Sequence, residues 1–284
     1  MNIALVYHPG MAPRRLARVA ALARVLGERG HHATHHDSMT FDAARDAPAA
    51  EALCICGGDG TAQLVISRQP DIAALPPVAI YPTGTINLLA RELDYPRDPL
   101  QFTRRLEAGR AALAVPIAAI NGRSFLCCIS IGADAHAVAG LSEPLKARIG
   151  RLAYLVAMLR ALLRWRRHPV ELHCDEGRYT AEAVFIMRGR YYAGPWTLDP
   201  AAGLAGEQLR ILALPRARRR DVARVALHAL LGGKRPARDW HVITTRRIAI
   251  SAGQALTLQI DGDHAPHEAV MLDIAMTGQT VHFC

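Results

Sequence analysis

The chain has 284 residues, 51% hydrophobic and 21% charged, with a formal net charge of +9 and a pI near 9.7. It is long enough for two domains and apolar enough to bury a core, which excludes a disordered or low-complexity protein. The basic balance suits anionic partners, whether nucleotide phosphates, nucleic acid or a membrane surface, without choosing among them.

The opening MNIALVYHPG lacks a basic start followed by a long apolar stretch. No window of about 18 uninterrupted apolar residues follows, so neither a signal peptide nor a membrane span is expected, and a cytoplasmic location is. Asn2 to Tyr7 reads as a short apolar strand. Pro13 to Gly30 reads as a helix: proline suits a first turn, and Leu16, Val19, Ala20, Ala23 and Leu26 keep the helical period. His32 to Asp37 is a weaker strand, Ala52 to Cys56 a third and Val78 to Tyr81 a fourth. The third and fourth each run through a glycine-bearing loop into a helix. Strand, loop and helix in alternation predict a parallel sheet covered on both faces.

The texture changes near residues 112 to 122. Phe125 to Ile131 reads as strand-like, and Pro144 to Trp165 as a long helix carrying Lys146, Arg151, Arg160 and Arg164. Short strands are predicted at Val170 to Asp175, Ala183 to Met187, Leu209 to Leu214, Arg247 to Ile250 and Leu256 to Ile260, with a helix at Arg219 to Leu231. This spacing predicts a sandwich or barrel. We therefore expect an α/β domain over residues 1–117 and a β-rich domain over 118–276, with a last strand near 277–284 returning to the first.

Two loops carry chemistry. Gly57-Gly58-Asp59-Gly60-Thr61 follows a strand and opens a helix, as does Pro82-Thr83-Gly84-Thr85 ahead of Ile86-Asn87-Leu88. Glycines permit positive φ and close approach of a ligand, and a helix N-terminus offers N–H groups to an anion. Asp59 could orient a nucleophile, reach magnesium through water or hold the loop in shape. Both loops would lie at the carboxyl edge of one parallel sheet, where ligands bind. The pattern is neither a Walker A loop nor a G-x-G-x-x-G turn.

GGDGT at 57–61 followed by PTGTINLLARELDYP at 82–96 resembles the diacylglycerol kinase catalytic family, which includes bacterial lipid kinases, sphingosine kinases and ceramide kinases. NGRSFLCCISIGAD at 121–134, the stretch 188–200 and IDGD at 260–263 extend the resemblance over essentially the whole chain. It implies a nucleotide domain like that of phosphofructokinase and NAD kinase plus a β-sandwich with helical insertions. It also implies ATP and Mg²⁺ as cofactors and a lipid alcohol (diacylglycerol, a sphingoid base or ceramide) as acceptor. By that resemblance Gly57, Gly58, Asp59, Gly60, Thr61, Gly84, Thr85 and Asn87 hold the nucleotide. Asp263, in place of the family's late glutamate, is the candidate general base, with Asp261 supporting it. A carboxylate suits proton acceptance as a hydroxyl attacks the γ-phosphate. The chain departs from the family at Leu88, Pro116, Ala205 and Gly206, where acidic residues are common, so we expect the family's structural magnesium site to be absent or rebuilt. A non-catalytic nucleotide- or lipid-binding protein and an NAD kinase are the rival readings.

The remaining features are weaker. His31, His32, His35 and His36 read as an exposed polar edge, Cys54 and Cys56 as core thiols, and Tyr191, Tyr192 and Trp196 as cleft-lining or packing aromatics. The basic helix suits peripheral contact with an anionic membrane, and the run Arg216 to Arg220 is open between membrane, nucleic acid and solubility. Aromatics are sparse and not interleaved with the basic run, so no nucleic-acid partner is expected. Oligomeric state is not legible.

Overall fold

A computed structural model describes residues 1–109, 112–140, 157, 160–161, 166–267 and 270–284. The expected helix from Pro144 to Trp165 lies almost wholly outside the described residues, as do Lys146, Arg151, Arg164 and Trp165. The chain forms two units: Met1–Ile117 with Gly278–Cys284, and Ala118–Thr277.

The first unit runs β1 (Asn2–Tyr7), α1 (Pro13–Glu28), β2 (His32–Asp37), α2 (Ala43–Asp46), β3 (Ala52–Gly57), α3 (Asp59–Ser67), β4 (Val78–Pro82), α4 (Leu88–Glu92) and α5 (Pro99–Glu107). Its strands are parallel in the order β2-β1-β3-β4. Every residue of β3 and β4 is buried, as for parallel strands covered on both faces. Helix α1 begins with Pro13 and buries Val19, Leu22 and Leu26. Gly57 pairs with Pro82, so β3 and β4 end at one level and deliver their loops to the same sheet edge.

The histidines lie along the edge strand β2 and just before it, and three of the four have side-chain partners. His31 Nε2 lies 2.9 Å from Glu107, His36 Nε2 2.8 Å from Thr34 Oγ1, and His35 Nδ1 3.3 Å from the Tyr7 hydroxyl. A polar edge of this kind discourages strand pairing with another chain. Cys54 and Cys56 are buried free thiols with sulfurs 3.8 Å apart.

The second unit contains β6 (Arg123–Phe125), β7 (Cys128–Ile131), α6 (Ala133–Ala139), β8 (Val170–Cys174), β9 (Gly177–Ala181), β10 (Ala183–Met187), β11 (Tyr191–Tyr192), β12 (Trp196–Thr197), β13 (Leu209–Leu214), α7 (Arg219–Leu230), β14 (His241–Thr245), β15 (Arg247–Ala252), β16 (Leu256–Ile260) and β17 (Asp263–His267). Strand β5 (Leu113–Ile120) leads into it, and β18 (Met271–Phe283) leaves it. One sheet has the order β14-β13-β10-β7-β16-β17. In the other, β8 pairs with β9 and β15, β15 pairs with β18, and β5 pairs with β18 and β6. Alternate residues of both sheets, among them Ile129, Val184, Ile211 and Leu258 against Leu172, Ile248, Ile250 and Leu272, share one core. This is a β-sandwich. Two-residue turns at Asn121-Gly122 and Asp261-Gly262 close its hairpins, with positive φ at both residues of each, the type I′ geometry that matches strand twist.

The strand expected over Phe125 to Ile131 is broken. Pairing stops at Leu126 and Cys127, whose N–H groups turn to a carboxylate instead of a neighbouring strand.

Candidate active site

The two glycine loops of the first unit interlock. The Gly57 carbonyl accepts from the Thr83 and Gly84 N–H groups, at 3.1 and 3.4 Å. A Cβ on Gly84 would sit 2.8 Å from the Gly58 Cα and 2.6 Å from Asn87 Oδ1, and one on Gly57 would sit 2.4 Å from the Thr61 Cβ. The glycine requirement at 57 and 84 is thus one of space, whereas a Cβ on Gly58 would make only ordinary contacts, at 3.5 Å and beyond. None of Gly57, Gly58 and Gly84 has positive φ, contrary to the conformational reason expected from the sequence. Asn87 takes the left-handed conformation instead, at φ 57°.

Asp59 joins the loops. Its carboxylate is almost buried and accepts from the Leu88 and Leu89 N–H groups, both at 2.8 Å. Those amides open α4 and have no partner within their own helix, so a carboxylate from another element caps them and meets the positive end of the helix dipole. Of the three roles open to Asp59 in the sequence, the geometry supports the third, holding the loop in shape. It also removes α4's first amides from those free to meet a phosphate. The first turn of α3 retains its own, since Gly60 and Thr61 precede the helical ladder.

Two cations join this site that were not singled out in the sequence. Arg15 of α1 reaches Thr85 Oγ1 at 3.5 Å, and Arg18, one turn on, donates to the Pro82 carbonyl at 2.8 Å while its guanidinium lies 5.5 Å from the Tyr81 ring centre. Their i, i+3 spacing puts both on one helix face, which was the only available signal.

The same loops pass a test of fit for a nucleotide. Asn87 donates through Nδ2 to the Gly84 carbonyl at 2.8 Å, but its buried Oδ1 has no hydrogen-bond partner. An orphaned acceptor in a glycine-lined cradle beside two guanidiniums suits a ligand bearing both donors and phosphates. Magnesium finds no such match. Both Asp59 oxygens are committed to backbone amides, and no three His, Cys, Asp or Glu side chains gather among the described residues.

In the second unit Asp261 is buried, and its carboxylate accepts from the N–H groups of Leu126, Cys127 and Cys128, at 2.7, 2.7 and 3.0 Å. It is the carboxylate that interrupts the expected strand. Asp261 pins the β16–β17 turn to the β6–β7 connection, and its role is positioning. Asp263, two residues on, is exposed at the head of β17.

Nearby, Asp134 of α6 is buried against Ser130 Oγ at 2.6 Å and the Tyr192 hydroxyl, and burial raises its carboxyl pKa. Tyr192 therefore packs into this polar cluster. A cavity of about 510 Å³ in the same unit is lined by His136, Arg160, Arg166, His168, Glu182 and Thr257 among others.

In the 200–207 stretch, which lacks aspartate, the buried Arg188 guanidinium donates to the carbonyls of Leu204 and Gln208, both at 3.0 Å. Burial pushes its pKa down to about 10.

Residues 9–117 match the model of the diacylglycerol kinase catalytic domain, and residues 127–278 match that of the YegS C-terminal NAD kinase beta sandwich-like domain. A protein named diacylglycerol kinase from Bacillus subtilis (strain 168) is 25% identical over 271 residues, covering 92% of this chain and 89% of its own length. One named "Probable lipid kinase YegS-like" from Pseudomonas aeruginosa (strain UCBPP-PA14) is 28% identical, covering 99% and 94%. The crystal structure of a diacylglycerol kinase from Bacillus anthracis str. Sterne superposes with a TM-score of 0.67 at 18% identity, over 100% of this chain and 97% of that one. Yeast NADH kinase complexed with NADH superposes at 0.53 and 13% identity, over 100% and 84%, a likeness of fold.

Proposed function

The chain belongs to the diacylglycerol kinase family, and we propose that it transfers the γ-phosphate of ATP to the hydroxyl of a lipid such as diacylglycerol, a sphingoid base or ceramide. One observation carries this reading: two glycine loops, locked together by Asp59, form a cradle with the orphaned Asn87 Oδ1 in its wall and Arg15 and Arg18 beside it.

In this proposal Gly57, Gly58, Gly60, Thr61, Gly84, Thr85 and Asn87 hold the nucleotide, and Arg15 meets its phosphates. Fixed cations and first-turn amides favour the charge that spreads over the transferred phosphoryl group. Asp263 accepts the proton of the attacking hydroxyl. Its support is an exposed carboxylate on a hairpin made rigid by the three amides on Asp261. Asp59 and Asp261 position the machinery and do not touch the reactants. No step is assigned to a protein-held magnesium ion.

The cavity of the second unit is offered as the acceptor's seat. No described helix is long and apolar enough to cross a membrane. We propose that the chain meets its lipid as a peripheral protein on the cytoplasmic membrane face.

The test is transfer of label from ATP to diacylglycerol, sphingosine or ceramide in mixed micelles with Mg²⁺. It compares wild type, Arg15→Ala and Asp263→Asn, with ATP binding measured in parallel. Label should enter one lipid and be lost in both variants, with ATP affinity weakened by Arg15→Ala alone. ATP binding with no label in any of the three lipids would favour the reading of a non-catalytic binding protein.

A further inference from the structure

On the second unit, helix α7 carries an apolar face that nothing covers among the described residues. Its inner side is packed: Val225, His228 and Ala229 are buried, and His228 Nε2 lies 2.9 Å from the Leu198 carbonyl. Its outer side ends in Leu227, Leu230 and Leu231, which are 56, 59 and 70% exposed. Spacings of three and four put them on one face of the last turn. The helix packs against β12, whose Trp196 adds an indole that is 38% exposed.

The leucine tip is rigid. Gly232 and Gly233, both at positive φ, turn the chain away immediately after Leu231, and a Cβ on Gly233 would meet the Leu198 backbone at 2.7 Å. Around the tip the charge is positive. Residues 216–239 hold eight Lys and Arg against two Asp, a net +6. Arg218 and Arg224 bind both aspartates, Asp221 and Asp239. Arg216, Arg219, Arg220, Lys234, Arg235 and Arg238 are all exposed.

We propose that α7 and the turn after it form a docking surface for an anionic lipid bilayer. The leucines enter the boundary between headgroups and acyl chains, Trp196 sits at headgroup depth, and the flanking cations meet lipid phosphates. Clustered exposed aliphatic side chains mark an interaction surface, and their pairing with basic residues is the pattern of an interfacial helix. A nearby basic residue contributes about fivefold to partition onto an anionic surface, and indoles favour the interface. Charge also decides against the other occupants of an apolar face. A second copy would bring two +6 surfaces together, and a nucleic acid backbone would leave the leucines in water.

This inference rests on the membrane contact proposed above and can be tested without turnover, so its failure is separable from failure of the kinase reading. The experiment is flotation of the full chain with vesicles of phosphatidylcholine alone or with about a third phosphatidylglycerol, in the absence of ATP. Wild type should bind the anionic vesicles at least about tenfold better than the neutral ones, and less well as salt shortens the screening length. The Leu227→Asp/Leu230→Asp double variant should lose at least about tenfold in binding. The Lys234→Glu/Arg235→Glu pair lies outside the helix, so it keeps the test valid if the first variant unfolds by circular dichroism. It should lose about twentyfold or more.

Failure of wild type to bind anionic vesicles would overturn the proposal, as would unchanged binding in the folded variants. Concentration-dependent dimerisation of lipid-free wild type that the leucine variant abolishes would assign the face to a second copy. Salt-sensitive duplex binding without vesicle binding would assign it to nucleic acid.

Discussion

Replacing Asp59 by Asn keeps the side chain's size and removes its charge and one acceptor. In the native loop both oxygens accept at 2.8 Å, from Leu88 and Leu89. An amide in the same place accepts from one of these groups and presents its own N–H to the other. The loss is one charge-assisted hydrogen bond, about 1.5–3 kcal/mol, and a buried N–H is left unsatisfied, at about 1–3 kcal/mol. Removing the negative charge from the N-terminus of α4 adds about 0.3–1 kcal/mol. The first two figures describe the same N–H and overlap, so the expected loss is about 3 kcal/mol, a fall of roughly 10 °C in Tm for a unit of this size. Site and stability share this junction, so ATP affinity should fall with it. The assay is urea unfolding of wild type and Asp59→Asn, paired with calorimetric titration of ATP. A variant as stable as wild type that binds ATP normally yet no longer phosphorylates lipid would refute the reasoning, because the carboxylate would then be acting on the reactants.

Gly84→Ala forces a Cβ to within 2.6 Å of Asn87 Oδ1 and 2.8 Å of the Gly58 Cα, so ATP affinity should drop at least about tenfold; unchanged titration would show that the loops do not meet in solution. Arg188→Ala leaves the Leu204 and Gln208 carbonyls without their guanidinium and should cost about 3–5 kcal/mol in urea unfolding followed by tryptophan fluorescence; a loss under about 1 kcal/mol would mean the 204–208 loop is held otherwise. Glu107 is held at about 2 by Arg29 and then His31, below its ordinary 4.5, so its contribution is full above about pH 4.5 and is lost as pH falls toward 2. Glu107→Gln should therefore flatten the decline in urea midpoint between about pH 5 and 3, and an unaltered slope would count against the ion pair. Burial raises the Asp134 pKa above 3.8, so the folded state favours its proton and this carboxyl weakens stability as pH rises through the raised value. Asp134→Asn should gain on wild type as pH rises from about 4, and a pH-independent difference would exclude the effect.

The sequence by itself determined the fold class and the presence of two glycine loops, because those signals are local. Continuous apolar runs in β3 and β4 mark parallel strands covered on both faces, and glycines directly after them mark loops at the carboxyl edge. What each carboxylate does was decided only by tertiary structure, because the groups that claim its oxygens lie far away in the chain. Asp59 is satisfied by amides 29 and 30 residues on, and Asp261 by amides 133 to 135 residues back. The break in the strand from Phe125 to Ile131 has the same origin: a strand-like apolar run predicts continuity, and a distant carboxylate takes the N–H groups that continuity needs. Arg15 and Arg18 read as ordinary helix surface until α1 brings them to the second loop. That α7 turns Val225, His228 and Ala229 inward and leaves Leu227, Leu230 and Leu231 exposed was likewise decided only by the tertiary structure.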